Sequence, residues 1–250
     1  MGLKGVIMAG GEGKRFRPLT YYFQKCMIPI GEEQKPILEY IVRLLKWHNI
    51  TNISILVGYR HQQVRNYFDE GERFGVKLRY VLDPPTLKGS ANALLNAFRE
   101  GAVKKEDTII IYYGDIISNI NIEEMLGTHN SNKALATIAL AKSFKINEGV
   151  AEIQGSRIVK FVEKPALEKN VSIGIIILNG KVLEIIENLQ KNMSLETFDL
   201  MGDVISYLVK HEENVVPYLT DAFWYDVGSL ERFERLDNRR LTEVLGFLFQ

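Results

Sequence analysis

A short apolar run, Gly5-Val6-Ile7-Met8-Ala9, breaks off into Gly10-Gly11-Glu12-Gly13-Lys14-Arg15-Phe16-Arg17-Pro18-Leu19-Thr20, with Lys25 just beyond. The run reads as a buried strand. Glycines at 10, 11 and 13 let the backbone take positive φ and bring its N–H groups close to a ligand. Lys14, Arg15, Arg17 and Lys25 crowd positive charge into the same loop. Backbone donors, guanidinium and ammonium at the end of a strand are what a polyphosphate requires. A plain surface turn with solvated charges is the bland alternative. The loop is not of the Walker A kind, because Gly13-Lys14 is followed by Arg15 and position 8 is Met. It is not the dinucleotide pattern G-x-G-x-x-G either, because position 16 is Phe, which removes a Rossmann dehydrogenase.

Beyond this loop, helices and strands alternate. Ile37–His48 carries apolar residues at helical spacing, Asn52–Val57 is an apolar run, Gln62–Glu70 is helical, and Lys77–Leu82 reads as a strand. Ser90 is placed to cap a helix running to Arg99, and Thr108–Tyr113 is an apolar strand that stops at Gly114-Asp115. This β-α-β-α-β order predicts an α/β fold with a Rossmann-like, doubly wound, mixed but mostly parallel sheet. Ligands of such sheets sit beyond the carboxyl ends of the strands, where the opening loop lies. Asp115 falls at the same edge. Its bland role is to cap the next segment; beside a polyphosphate it becomes a Mg²⁺ ligand candidate.

After Asp115 the pattern changes. Ile122–His129 reads as a helix, Ala134–Ala141 as a strand, Val150–Gln154 and Ile158–Val162 as a hairpin turning at Gly155-Ser156, and Ile173–Leu178 as a strand. Lys181–Leu189 and Asp203–Val209 are amphipathic helices. Val215–Leu219 and Phe223–Tyr225 are strands, and Asp226-Val227-Gly228-Ser229 starts a helix through about Leu241. The apolar tail Val244–Phe249 fits simple packing or a contact between copies, so a homo-oligomer stays open. The expectation is one domain: a half over about 1–130 that carries the phosphate loop, a β-rich half over about 131–241 that could cover it, and a tail from 242 to 250.

Basic and acidic residues balance, 31 of each, so no global field favours nucleic acid. A single cysteine, Cys26, excludes an intrachain disulfide and fits a reducing cytoplasm. No apolar run approaches the ~20 residues that a membrane span needs.

Six ordered stretches carry a resemblance: the GGEGKRFRPLT loop with Lys25 and Met27-Ile28-Pro29-Ile30, Pro85–Ala91, Gly114-Asp115, Gly149-Val150-Ala151-Glu152, Phe161-Val162-Glu163-Lys164-Pro165, and Trp224-Tyr225-Asp226-Val227-Gly228-Ser229. Together with Ile173-Gly174-Ile175 they are similar to the signatures of the sugar-phosphate nucleotidylyltransferases, over nearly the full length. The resemblance implies a GT-A-like nucleotidyltransferase fold and one reaction: a nucleoside triphosphate and a hexose 1-phosphate give an NDP-sugar and pyrophosphate. It implies that Arg15 and the backbone of Ala9, Gly10, Gly11, Gly13 and Lys14 hold nucleotide phosphates, and that Lys25 reaches them as charge spreads. It further implies that Asp83, Gly89 and Ser90 lie against the base. Lys164 would take the sugar phosphate, Glu163 sugar hydroxyls, and Gly149 and Gly174 would border the sugar. Asp115 and Asp226 would coordinate Mg²⁺. No covalent nucleophile is required, so catalysis is positioning plus charge stabilisation.

Cys26 stands where the family more often has Pro, Ser172 stands near a usual Asn, and the stretch from Pro165 to Ser172 is short. These departures bear on sugar identity more than on chemistry. For the base, a carboxylate at Asp83 accepts only, and a guanine edge offers two N–H donors; this leans towards GTP and a mannose-type 1-phosphate. The alternative is a thymidylyl- or uridylyltransferase acting on glucose 1-phosphate. From another class comes a non-catalytic nucleotide-sugar-binding regulatory subunit. Such a protein is expected to lack a phosphate cation or a metal carboxylate, whereas Arg15, Lys25, Lys164, Asp115 and Asp226 are all present.

Overall fold

A computed structural model describes residues 2–250 except 85, 87, 143, 146, 147 and 194–196. Pro85 and Leu87, in the loop expected against the base, therefore lie outside the described residues. Seven strands form the main sheet: β1 (Leu3–Ala9), β2 (Asn52–Val57), β3 (Lys77–Leu82), β4 (Thr108–Tyr113), β5 (Ala136–Ala141), β6 (Val171–Asn179) and β7 (Val215–Thr220). Their order across the sheet is β7-β5-β6-β4-β1-β2-β3. Only β6 runs against its neighbours; the β1–β2, β1–β4, β2–β3 and β5–β7 pairs are parallel.

The apolar runs reflect burial on both faces. On one side Ile7, Ile53, Ile55, Ile110 and Tyr112 meet the helix Ile37–Trp47, eight of whose 11 residues are buried. On the other, Val6, Leu56, Ile109, Ile111 and Ile176 meet Ser90–Arg99 and the helix Val182–Met193. Because side chains alternate along each strand, Val6 and Ile7 feed different cores. Strands from both halves of the chain share this sheet, so the second half contributes structural strands as well as outlying ribbons. The hairpin Val150–Gln154 and Arg157–Val162 is exposed at every position.

Three expected elements are corrected. The single helix beginning near Ser229 is two, Leu230–Glu234 and Asn238–Leu245, because Leu236 turns in to be buried between them. The helix over Asp203–Val209 starts as a wide turn, Leu200–Ile205, and becomes regular only over Ser206–Lys210. Ser90 does not cap this helix: Gly89 takes the cap position with φ +99°, and the Ser90 N–H of the first turn donates to Asp199 Oδ1 at 3.2 Å. The tail packs on the helix Ile37–Trp47, with Phe249 edge-on to Tyr40 and Phe247 edge-on to Trp47, both at 4.9 Å. No helix among the described residues is long and apolar enough to cross a membrane.

Candidate active site

The register puts the carboxyl ends of three strands side by side: Ala9 faces Val57, and Met8 faces both Leu56 and Tyr113. The glycine loop leaves from this edge. Its carbonyls are tied inward. Tyr59 N–H donates to Gly10 O at 3.1 Å, Thr20 Oγ1 to Gly13 O at 2.9 Å, and Gln24 Nε2 to Ala9 O at 2.6 Å. Gly58 allows the approach of the neighbouring loop, since a Cβ there would stand 2.6 Å from Gly10 O. Phe16 is fully buried, edge-on to Phe233 at 5.8 Å, and anchors the turn that carries Lys14 and Arg15.

A cleft of about 880 Å³ opens over this edge. Ala9, Gly10, Gly11, Gly13, Lys14, Arg15, Lys25, Asp83, Gly89, Ser90 and Asp115 all line it. A second cavity of about 530 Å³ adjoins it, sharing Tyr113 and Asp115 and bordered by Gly174, Asp226 and Arg232. The structure thus brings together every expected site residue except Gly149, Glu163 and Lys164, which line neither cavity. Those three sit at the root of the exposed hairpin, where a Cβ on Gly149 would stand 2.9 Å from Glu163 Oε2.

Asp115 and Asp226 meet at the junction of the two cavities. A two-stranded antiparallel ribbon, Ile116–Ser118 with Trp224–Asp226, sets them there, and Val227 N–H donates to Asp115 O at 2.8 Å. Asp115 Oδ2 pairs with Lys25 Nζ at 2.5 Å, and Asp226 Oδ2 with Arg232 Nη1. Burial and then the Asp115 charge hold the Asp226 carboxyl above the usual carboxylate range, against Arg232, Lys25 and Arg15. Asp226 Oδ1 is buried with no hydrogen-bond partner among the described residues. Two carboxylates lining one cavity, one of them with a buried oxygen that has no partner among the described residues, fit a hard divalent cation. Among the described residues no group of three or more His, Cys, Asp or Glu side chains is placed to hold a metal ion by itself. The remaining ligands would come from phosphate and water, as Mg²⁺ prefers.

Asp83 directly follows β3, its N–H donating to Val57 O at 2.7 Å. Its Oδ1 is buried and unpartnered among the described residues, and Oδ2 lies where a Cβ on Gly10 would come within 2.4 Å. Burial, with the Glu100 charge adding, pushes its carboxyl up to about 6. Ser90 Oγ donates to Asp199 Oδ1 at 3.2 Å and accepts from Leu200 N–H and Tyr113 Oη, so it ties the cleft wall to the segment before Leu200.

Sequence reasoning missed Gln24, Tyr113 and Arg232. Gln24 had a signal, since an amide inside a loop of cations has no obvious solvent role. Its side chain is buried, and it joins the strand end to the Lys25 turn by also accepting from Cys26 N–H at 2.5 Å. Arg232 had none, lying six residues past Asp226 in a five-residue helix with no buried residue.

A glycine and cation loop on the edge of a mostly parallel sheet, opening on paired carboxylates, marks the principal cleft of an α/β protein. The model of the nucleotidyl transferase family matches residues 4–243. The chain is 30% identical over 237 residues to the D-glycero-alpha-D-manno-heptose 1-phosphate guanylyltransferase of Aneurinibacillus thermoaerophilus, covering 93% of this chain and 96% of that one. It is 29% identical over 249 residues to the UTP–glucose-1-phosphate uridylyltransferase of Synechocystis, covering 91% of this chain but spanning only 61% of that protein. A crystal structure from Bacillus anthracis, assigned as a glucose-1-phosphate thymidylyltransferase, superposes with a TM-score of 0.75 at 26% identity, over 96% of this chain and 95% of that one. The chain belongs to the nucleotidyl transferase family, and its fold is of the GT-A-like type.

Proposed function

We propose that this protein transfers a nucleotidyl group from a nucleoside triphosphate to a sugar 1-phosphate, releasing pyrophosphate. The observation that carries the reading is the meeting of two cavities at Asp115: a larger one walled by the glycine loop and its cations, and a smaller one beside it. A triphosphate in the first and a sugar phosphate in the second bring an oxygen nucleophile and the α-phosphorus together at the junction. The incoming phosphate oxygen forms the new P–O bond as the bond to pyrophosphate breaks, in line. Holding both reactants so replaces a bimolecular encounter by a positioned one. Lys14, Arg15 and the loop backbone would bind the departing phosphates. Lys25 would stabilise the charge that develops on them. Mg²⁺, held by Asp115 and Asp226, would supply neutralising charge between the phosphates when bound.

For the base, Asp83 supports guanine. One of its carboxylate oxygens has no donor among the described residues, and the guanine edge offers two donors. That makes GTP with a mannose- or heptose-type 1-phosphate the favoured pair. One observation favours the alternative of UTP or dTTP with a glucose-type 1-phosphate: with its carboxyl at about 6, Asp83 takes up a proton in mild acid and then offers one donor and one acceptor, the complement of an imide edge. The reverse reaction tests the proposal. Protein, Mg²⁺, GDP-mannose and labelled pyrophosphate should yield labelled GTP. No label in any nucleotide, with UDP-glucose and dTDP-glucose also tried, would contradict it.

A further inference from the structure

Arg232 belongs to no motif and has no role in the transfer described above, yet it lines the smaller cavity with Asp115 and Asp226. Its backbone is pinned twice: its N–H donates to Ser229 Oγ at 3.3 Å, and its carbonyl accepts from Tyr225 Oη at 2.6 Å. Its guanidinium pairs with Asp226, and the side chain as a whole remains about 37% exposed, so it has room to turn. It borders the smaller cavity beside Asp115, Ser172 and Gly174. Among the described residues lining that cavity it is the only cation. The other charged groups there are Asp115 and Asp226, which would repel a phosphate. Lys25 is engaged by Asp115, and Lys164 lines neither cavity.

We propose that Arg232 receives the phosphate of the sugar 1-phosphate, and that it is stored on Asp226 until a divalent cation takes that carboxylate. The inference rests on the nucleotidyl-transfer reading. A guanidinium binds carboxylate and phosphate oxygens with the same planar fork, so the exchange needs only a side-chain rotation about a fixed backbone. It also keeps charge in register. Asp226 trades one positive partner for another, and the released arginine meets the incoming anion. Arg232 thereby couples the filling of the carboxylate site to the readiness of the sugar cavity.

The test uses the whole protein and the variants Arg232→Gln, Arg232→Lys and Lys164→Ala. Manganese binding to the nucleotide-free protein is followed by electron paramagnetic resonance. Arg232→Gln leaves Asp226 without its counter-ion, so its Mn²⁺ affinity should rise on the order of tenfold. In steady state, Arg232→Gln should raise the KM for sugar 1-phosphate by roughly 10- to 100-fold, with the KM for the triphosphate within about twofold. Arg232→Lys should recover part of both and serves if the Gln variant does not fold. Unchanged Mn²⁺ affinity overturns the storage on Asp226. An equal rise in both KM values, or a larger sugar-phosphate effect for Lys164→Ala, overturns Arg232 as receiver. A wild type that releases no pyrophosphate with any pair refutes the transfer reading itself, and this is seen before any substitution is made.

Discussion

Replacing Asp83 by Asn should make the protein more stable and less discriminating. The carboxyl loses hydration on folding, and among the described residues Oδ1 finds no donor in exchange. Burial raises it from its ordinary 3.8 to about 6. At about 1.36 kcal/mol per tenfold change in proton affinity, that displacement costs roughly 3 kcal/mol once the group is ionised. Asp83 is only half-buried, so solvent screening reduces the cost to about 1–2 kcal/mol. The sign is fixed by the folded state holding the proton more tightly. The penalty is absent below about 3.8, grows as pH rises towards 6, and is complete above it. Asn keeps the shape without the charge. Thermal unfolding at pH 8 should therefore show the variant higher by about 3–6 °C for a chain of this size, and the gain should shrink as pH falls towards 4. A gain of equal size at both ends of that range, or a loss at pH 8, would refute the reasoning. Preference for GTP over UTP, read as a ratio of kcat/KM, should fall by roughly 10- to 100-fold in the same variant. Unchanged preference would remove Asp83 from base reading.

Three further perturbations probe the site. Gly10→Ala puts a Cβ 2.4 Å from Asp83 Oδ2, so that carboxylate must move; the KM for triphosphate should rise about tenfold, with sugar-phosphate KM little changed. Asp115→Asn and Asp226→Asn should each lower kcat by on the order of 10²- to 10⁴-fold with unaltered circular dichroism, and wild-type turnover in both would remove the metal assignment. Gln24→Leu leaves Ala9 O and Cys26 N–H without their buried partner, so the urea midpoint should drop by an amount corresponding to roughly 2–4 kcal/mol.

The parallel part of the sheet was legible because strands buried on both faces are written as unbroken apolar runs. Asn52–Val57 and Thr108–Tyr113 are of this kind, and their expected bounds match those observed. The hairpin was legible from its local turn at Gly155-Ser156. The insertion of β6 between β4 and β5 was not, because strand order depends on long-range pairing. The phosphate loop could be read since its glycines and cations are consecutive. Ser90 misled because serine before an apolar stretch is locally a good cap, whereas its hydroxyl partners are all distant in sequence: Tyr113, and Asp199 and Leu200 about 110 residues away. Arg232 was invisible for a different reason. Its importance comes from the ribbon that turns Asp226 towards Asp115, and nothing in the spacing of Asp226 and Arg232 marks that meeting.

The most direct measurement is pyrophosphate release in the presence of Mg²⁺, with GTP, UTP, dTTP, CTP and ATP each tried against a panel of hexose and heptose 1-phosphates. The account predicts sustained release that requires both substrates, strongest with GTP and a manno-configured sugar phosphate, and abolished by Asp115→Asn. Silence across the grid, in a protein that still binds an NDP-sugar, would contradict it and leave a nucleotide-sugar-binding regulator.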